Sequence, residues 1–231
     1  MSHSGERPVA LVTGANRGIG KEVARGLAGR GFDVILSARD VGEAQRAADE
    51  ITREHAATVL PLALDVSEPE SIQAAAGRIH TEPGRLDVLV NNAGIGTDFG
   101  VPGTAPDFQE MERELRTNFY GAYRLTVELL GLLRASAHPR VVNVSSGMGA
   151  IAEMGGFSPV YRVSKAAMNA MSRILSAELA GEGFLVNSAC EEPGGRRVGD
   201  HLARDAPGRR ADRRLLPRRH GGQLLSRGSR A

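Results

Sequence analysis

At 231 residues, with 41% hydrophobic and 24% charged residues, the chain has material for one α/β domain and the make-up of an ordinary globular protein. No apolar run approaches the roughly 18 residues a membrane span requires, residues 1–7 carry no signal-peptide core, and the single Cys190 excludes an internal disulfide and fits a reducing cytoplasm. The net charge of +2 conceals a split: residues 191–231 hold 11 Arg against 5 acidic residues, so the basic character is the tail's and does not mark the body as nucleic-acid-binding.

Up to residue 190 the pattern alternates strand and helix. Val9–Val12 is a short apolar strand followed by a glycine-rich turn, and residues 19–29 form a helix with Ile19, Val23 and Leu27 on one face. A second strand is predicted at 32–36, an amphipathic helix at 41–54 and a third strand at 58–64. Ser67 then stands where it can cap a helix over 68–80. A fourth strand follows at 86–90, one long helix over 107–134, a fifth strand at 141–144, a helix from about 160 to 181, and a sixth strand opening at 184. Continuous apolar strands alternating with helices predict a single-domain α/β fold, a doubly wound parallel sheet of the Rossmann type. Its ligands sit beyond the carboxyl ends of the strands. Residues 1–190 are read as the dinucleotide-binding and catalytic domain, and 191–231, rich in Arg, Gly and Pro, as a disordered tail.

Thr13-Gly14-Ala15-Asn16-Arg17-Gly18-Ile19-Gly20 joins the first strand to the first helix. Glycine there permits positive φ and close backbone approach, and a helix N-terminus presents free N–H groups to a pyrophosphate. Arg17 and Arg39 supply two guanidinium groups suited to a ribose 2′-phosphate. Tyr161 and Lys165 lie four apart on a predicted helix and so share a face. A nearby ammonium favours phenolate, so the spacing permits a tyrosine acid with a lowered pKa.

The TGxxxGIG spacing resembles the short-chain dehydrogenase/reductase pattern, and other motifs follow in that family's order. They are Asn91-Asn92-Ala93-Gly94, Thr117-Asn118-Phe119-Tyr120-Gly121, Val142-Asn143-Val144-Ser145-Ser146 and Tyr161-Arg162-Val163-Ser164-Lys165. The stretches 36–40, 117–121 and 140–146 resemble the carbonyl reductase branch. The resemblance spans about 7–190. It implies NADPH-dependent reduction of a ketone, aldehyde or quinone, with Tyr161 as acid/base. Lys165 would tune the tyrosine and bind the nicotinamide ribose, Ser146 would bond the substrate oxygen and Asn118 would support a water-linked relay. It also implies cofactor contacts from Gly14, Asn16, Arg17, Gly18, Ile19, Gly20, Arg39, Asp65, Val66, Asn91, Ala93 and Tyr161, with Asp65-Val66 at the adenine. The family's NAD-selecting acid aligns with Ala38, so NADPH is the expected cofactor. Asp65 also reads as a simple turn residue. No metal is implied, and the partner is a small-molecule carbonyl. The motifs set neither the substrate nor the oligomeric state.

Beyond Cys190 the chain departs from the family. Pro193-Gly194 comes two residues late, no Thr follows it, and nothing later reads as a lid helix or a seventh strand. A reading-frame shift near 190 and genuine divergence both account for this. Under either, the alternative is a catalytically impaired nucleotide-binding protein of the same fold. A sugar-nucleotide epimerase or dehydratase shares YxxxK, but the short chain and the NNAG motif argue against it.

Overall fold

The computed structural model describes residues 7–190. Six strands form one parallel sheet in the order β3-β2-β1-β4-β5-β6. They are β1 Val9–Val12, β2 Asp33–Ala38, β3 Val59–Ala63, β4 Val88–Asn91, β5 Arg140–Val144 and β6 Leu185–Ala189. Strand order reverses between β1 and β4, which pair directly with Leu11 opposite Leu89. This is the switch point at which a doubly wound sheet opens a crevice.

Side-chain alternation along the strands divides the core into two layers. On one face, Ala10, Val12, Val34, Leu36 and Val88 meet α1 (Gly18–Ala28) and α2 (Val41–Glu54) through Val23, Leu27, Ala44, Ala48 and Ile51. On the other, Leu11, Ile35, Leu89 and Val141 meet α3 (Pro69–Thr81), α5 (Ala122–Glu128) and α7 (Pro159–Leu179) through Ile72, Ile79, Leu125, Met168, Met171 and Leu175. Burial on both faces explains why these strands read as unbroken apolar runs. The expectations for 191–231 lie outside the described residues. No helix among the described residues is long and apolar enough to cross a membrane.

Two local expectations need correction. Ser67 does not cap α3: Glu68 occupies the cap position without a side-chain bond, and the Ser67 hydroxyl donates instead to Asp65 Oδ1 at 2.7 Å. Pro69 at the start of the helix has no N–H to satisfy, so less is asked of a cap there. The long helix over 107–134 is also not uniform. It runs as α4 (Phe108–Leu115), a π-helical turn over Arg116–Gly121, α5, and α6 (Leu130–Arg134). A π turn is a known way to redirect one side chain within a helix, and this one contains Asn118. It also passes so close to the loop after β3 that a Cβ on Gly121 would lie 2.3 Å from the Val66 carbonyl oxygen.

Candidate active site

The β1–α1 loop is shaped by glycine at three points with different physical reasons. Gly14 (φ +61°) and Gly18 (φ +58°) occupy left-handed backbone, while Gly20 makes a close approach. A Cβ on Gly20 would fall 2.4 Å from Asn92 Nδ2 and 2.7 Å from the Gly14 oxygen. Around Gly18 there is open space. The first turn of α1 has neither a side-chain cap nor an acidic residue, so its N–H groups and positive dipole end face that space. A bare, uncapped, anion-favouring cradle at the switch point fits the pyrophosphate of a dinucleotide.

The two asparagines of Asn91-Asn92 point opposite ways. Asn92 donates through Nδ2 to the Thr13 oxygen at 2.8 Å and the Gly14 oxygen at 3.1 Å, which locks the loop to β4. Thr13 Oγ1 accepts from the backbone N–H of Asn92 and of Ala93, both at 2.9 Å. Asn91 is buried and donates to Thr126 Oγ1 at 3.0 Å and Asn143 Oδ1 at 2.8 Å. Its side chain therefore ties β4 to α5 and β5, on the side away from the loop. Asn92, not singled out from the sequence, is the residue that shapes the cradle.

Arg17, at the N-cap of α1, and Arg39, just past β2, are both exposed, and neither forms an ion pair among the described residues. Ile19 is partly exposed on the first turn. Asn16 is held by Glu43 of α2, donating through Nδ2 at 2.7 Å. Asp65 Oδ1 accepts from the Ser67 backbone at 2.9 Å as well as from its hydroxyl, a turn-forming arrangement. Val66 is buried beneath Gly121, and Ala93 packs against Gly14.

Past the cradle, the catalytic candidates converge from β5, the π turn and α7. The Tyr161 phenol is half-buried and lies near the Ser146 hydroxyl. Burial pushes it above its ordinary value, and the neighbouring Ser146 hydroxyl works against that. The lowering expected from Lys165 does not prevail. Lys165 is itself buried, its Nζ lies 5.6 Å from the Tyr161 ring centre, and it donates to the Val144 carbonyl at 2.9 Å. Burial pushes the Lys165 ammonium down to about 8, opposed by Glu114 and Cys190. Ser145 faces the backbone instead, with its hydroxyl 3.4 Å from the Lys165 carbonyl. Asn118 is buried, accepting from the Ile95 N–H at 2.8 Å and donating to the Ile95 oxygen at 2.8 Å and to Ser164 Oγ at 3.0 Å.

Two carboxylates absent from any motif complete the surroundings. Asp98 is buried and accepts from the backbone N–H of Val160 at 2.7 Å and of Tyr161 at 3.2 Å. It thus caps α7 at Tyr161. Ser158, the nominal cap residue, lies in left-handed backbone (φ 53°) and makes no side-chain cap bond. Glu114, fully buried on the last turn of α4, accepts from the Thr97 N–H and hydroxyl at 2.6 and 2.7 Å. Phe99 lies tilted on Tyr161 with ring centres 5.2 Å apart. Replacing Asp98 by alanine is expected to cost about 1–2 kcal/mol of stability, the worth of a lost helix cap. Urea denaturation followed by circular dichroism checks this; a variant as stable as the native chain would show that α7 does not depend on the cap.

The motifs are now neighbours in space, and the comparisons agree with the geometry. A family model described as short chain dehydrogenase matches residues 8–198, continuing past Cys190. Mouse carbonyl reductase [NADPH] 1 is 34% identical, with 81% of this chain and 82% of the relative covered. Among solved structures, a metagenomic short-chain oxidoreductase in complex with NADP superposes with a TM-score of 0.75 at 31% identity, over 85% of this chain and 89% of its own. L-Sorbose reductase from Gluconobacter frateurii, complexed with NADPH and L-sorbose, gives 0.72 at 29% identity over 79% and 68%. A match over most of the length, in sequence and in fold, has one reading: the chain belongs to the short-chain dehydrogenase family of oxidoreductases.

Proposed function

We propose that the protein reduces the carbonyl of a small ketone, aldehyde or quinone to an alcohol, using NADPH. The observation that carries this is Tyr161 standing beside buried Lys165 and near Ser146, on a sheet whose first strand opens into an uncapped glycine cradle. Gly14, Gly18 and Gly20, with the first turn of α1, would hold the pyrophosphate, and Lys165 the nicotinamide ribose. When bound, the reduced nicotinamide supplies the hydride that reduces the carbonyl carbon. Ser146 then orients the substrate oxygen by a hydrogen bond, and Tyr161 gives it a proton. A phenol pushed up by burial is protonated near neutrality, which suits a proton donor in the reductive direction. Lys165 and Asn118 line the route by which the phenolate is re-protonated.

The choice of NADPH rests on two exposed guanidinium groups without ion-pair partners among the described residues, Arg17 and Arg39, and on small, buried Ala38 where an acid would select NADH. The relatives named for NADPH or NADP agree. Arg39→Ala is expected to weaken NADPH binding by roughly tenfold or more, as for a lost charge-assisted hydrogen bond, and to leave NADH binding unchanged. Fluorescence titration of both cofactors measures this; equal native affinities for the two would sink the assignment. Oxidation of NADPH across a panel of ketones, aldehydes and quinones tests the reaction. NADPH bound tightly and never consumed would identify a nucleotide-binding protein without turnover.

A further inference from the structure

Glu114 and Asp98 are the buried carboxylates of the described residues, and the reaction just outlined uses neither. Glu114 sits one helical turn before Asn118. Its Oε1 takes both Thr97 donors, and its Oε2 faces Asn118 Nδ2 at 3.5 Å. On the other side of Asn118 lies Gly94, where a Cβ would come 3.2 Å from Asn118 Oδ1 and 3.5 Å from Lys165 Nζ. The bare glycine thus leaves the Asn118 carboxamide and the Lys165 ammonium facing one small space. Carboxylate, carboxamide and ammonium form a buried line that runs from α4 to α7 and ends beside the half-buried phenol. Among the described residues neither Glu114 nor Lys165 makes a direct ion pair.

We propose that Glu114 is a positioning residue for proton transfer: its buried negative charge acts past Asn118 on Lys165 and Tyr161 and sets the pH at which Tyr161 loses its proton. The inference rests on Tyr161 as the proton donor. The sign follows from electrostatics in a poorly solvated site. An anion there disfavours phenolate and favours ammonium, so Glu114 holds both Tyr161 and Lys165 up. Cys190 acts on both in the same sense. Glu114's own carboxyl is raised, first by burial and then by Asp98 on the neighbouring loop and Glu110 on its own helix, while the two Thr97 bonds favour its anion. Removing the charge lowers the pKa of Tyr161 and of Lys165. The loss of reductase activity at high pH, where Tyr161 is deprotonated, then moves to lower pH.

Glu114→Gln keeps the shape and an acceptor for Thr97, so it isolates the charge. Two measurements are needed. One is kcat against pH for carbonyl reduction with NADPH. The other is the ultraviolet difference titration of tyrosinate in the free protein. Of the chain's three tyrosines, Tyr161 is isolated there by subtracting the Tyr161→Phe variant. In Glu114→Gln both the Tyr161 midpoint and the basic limb are expected to fall by roughly half a pH unit or more. A merely structural Glu114 would lower kcat and leave both where they are. Midpoints that coincide with those of the native chain overturn the proposal. Should the chain reduce no carbonyl, the proposed function fails, and the tyrosinate midpoint still decides this inference. Should Glu114→Gln not fold, Glu114→Met removes the same charge with a side chain of similar length, and a downward shift of similar size is expected. An unmoved or raised midpoint in that variant overturns the proposal equally.

Discussion

Replacing Tyr161 by phenylalanine is expected to lower turnover by roughly a hundredfold or more while leaving NADPH affinity nearly unchanged. The substitution keeps the ring and its tilted contact with Phe99. It removes only the hydroxyl near Ser146, the proposed source of the transferred proton. The size is that of a lost general acid. Steady-state kinetics with the best carbonyl substrate, beside a cofactor titration, measures it. Near-normal turnover would show that another group supplies the proton. A parallel loss of NADPH binding would show that the hydroxyl holds the cofactor and does not act as the acid.

Gly20→Ala is expected to weaken NADPH binding by roughly tenfold or more, about 1.4 kcal/mol at the least. The added methyl would sit 2.4 Å from Asn92 Nδ2, 2.7 Å from the Gly14 oxygen and 3.0 Å from the Ala15 Cα. Two of those atoms are backbone of the cradle itself, so relief requires the β1–α1 loop to move. It also dislodges Asn92 from its bonds to Thr13 and Gly14. Gly18→Ala is the control. A Cβ there meets nothing within 4 Å, and the cost is limited to the left-handed backbone, about 1 kcal/mol. Isothermal titration of both variants checks the contrast. A Gly20→Ala chain that binds NADPH as well as Gly18→Ala does would mean that the loop gives way more easily than its contacts imply.

Residues that act through local geometry were the most legible. Glycines after a strand announce a tight turn into a helix, and a Tyr and Lys four apart announce a shared helical face. What depends on facing was less so. Asn91 and Asn92 are chemically identical neighbours at the end of a strand. Successive side chains there point to opposite faces, so one ties β4 to α5 and the other grips the phosphate loop. Asp65 reads both as an adenine contact and as a turn residue, and its bonds to Ser67 show the turn without bearing on the adenine contact. The Tyr161–Lys165 spacing suggested a lowered phenol. Spacing does not reveal burial, and burial dominates both groups.

By itself the sequence determined the fold class, the position of the glycine-rich loop and the chain order of the candidate reactive groups. Each of those is written in short-range periodicity and in motifs that carry their own geometry. Only the tertiary structure decided the π turn that aims Asn118, the cap that Asp98 lends to α7, and the burial of Glu114 beside the site. Asp98 meets its partners 62 and 63 residues along the chain, and Glu114 meets Thr97 across 17. No local pattern encodes such contacts, because they exist only once the sheet has brought α4, α7 and the loop after β4 into one dry space.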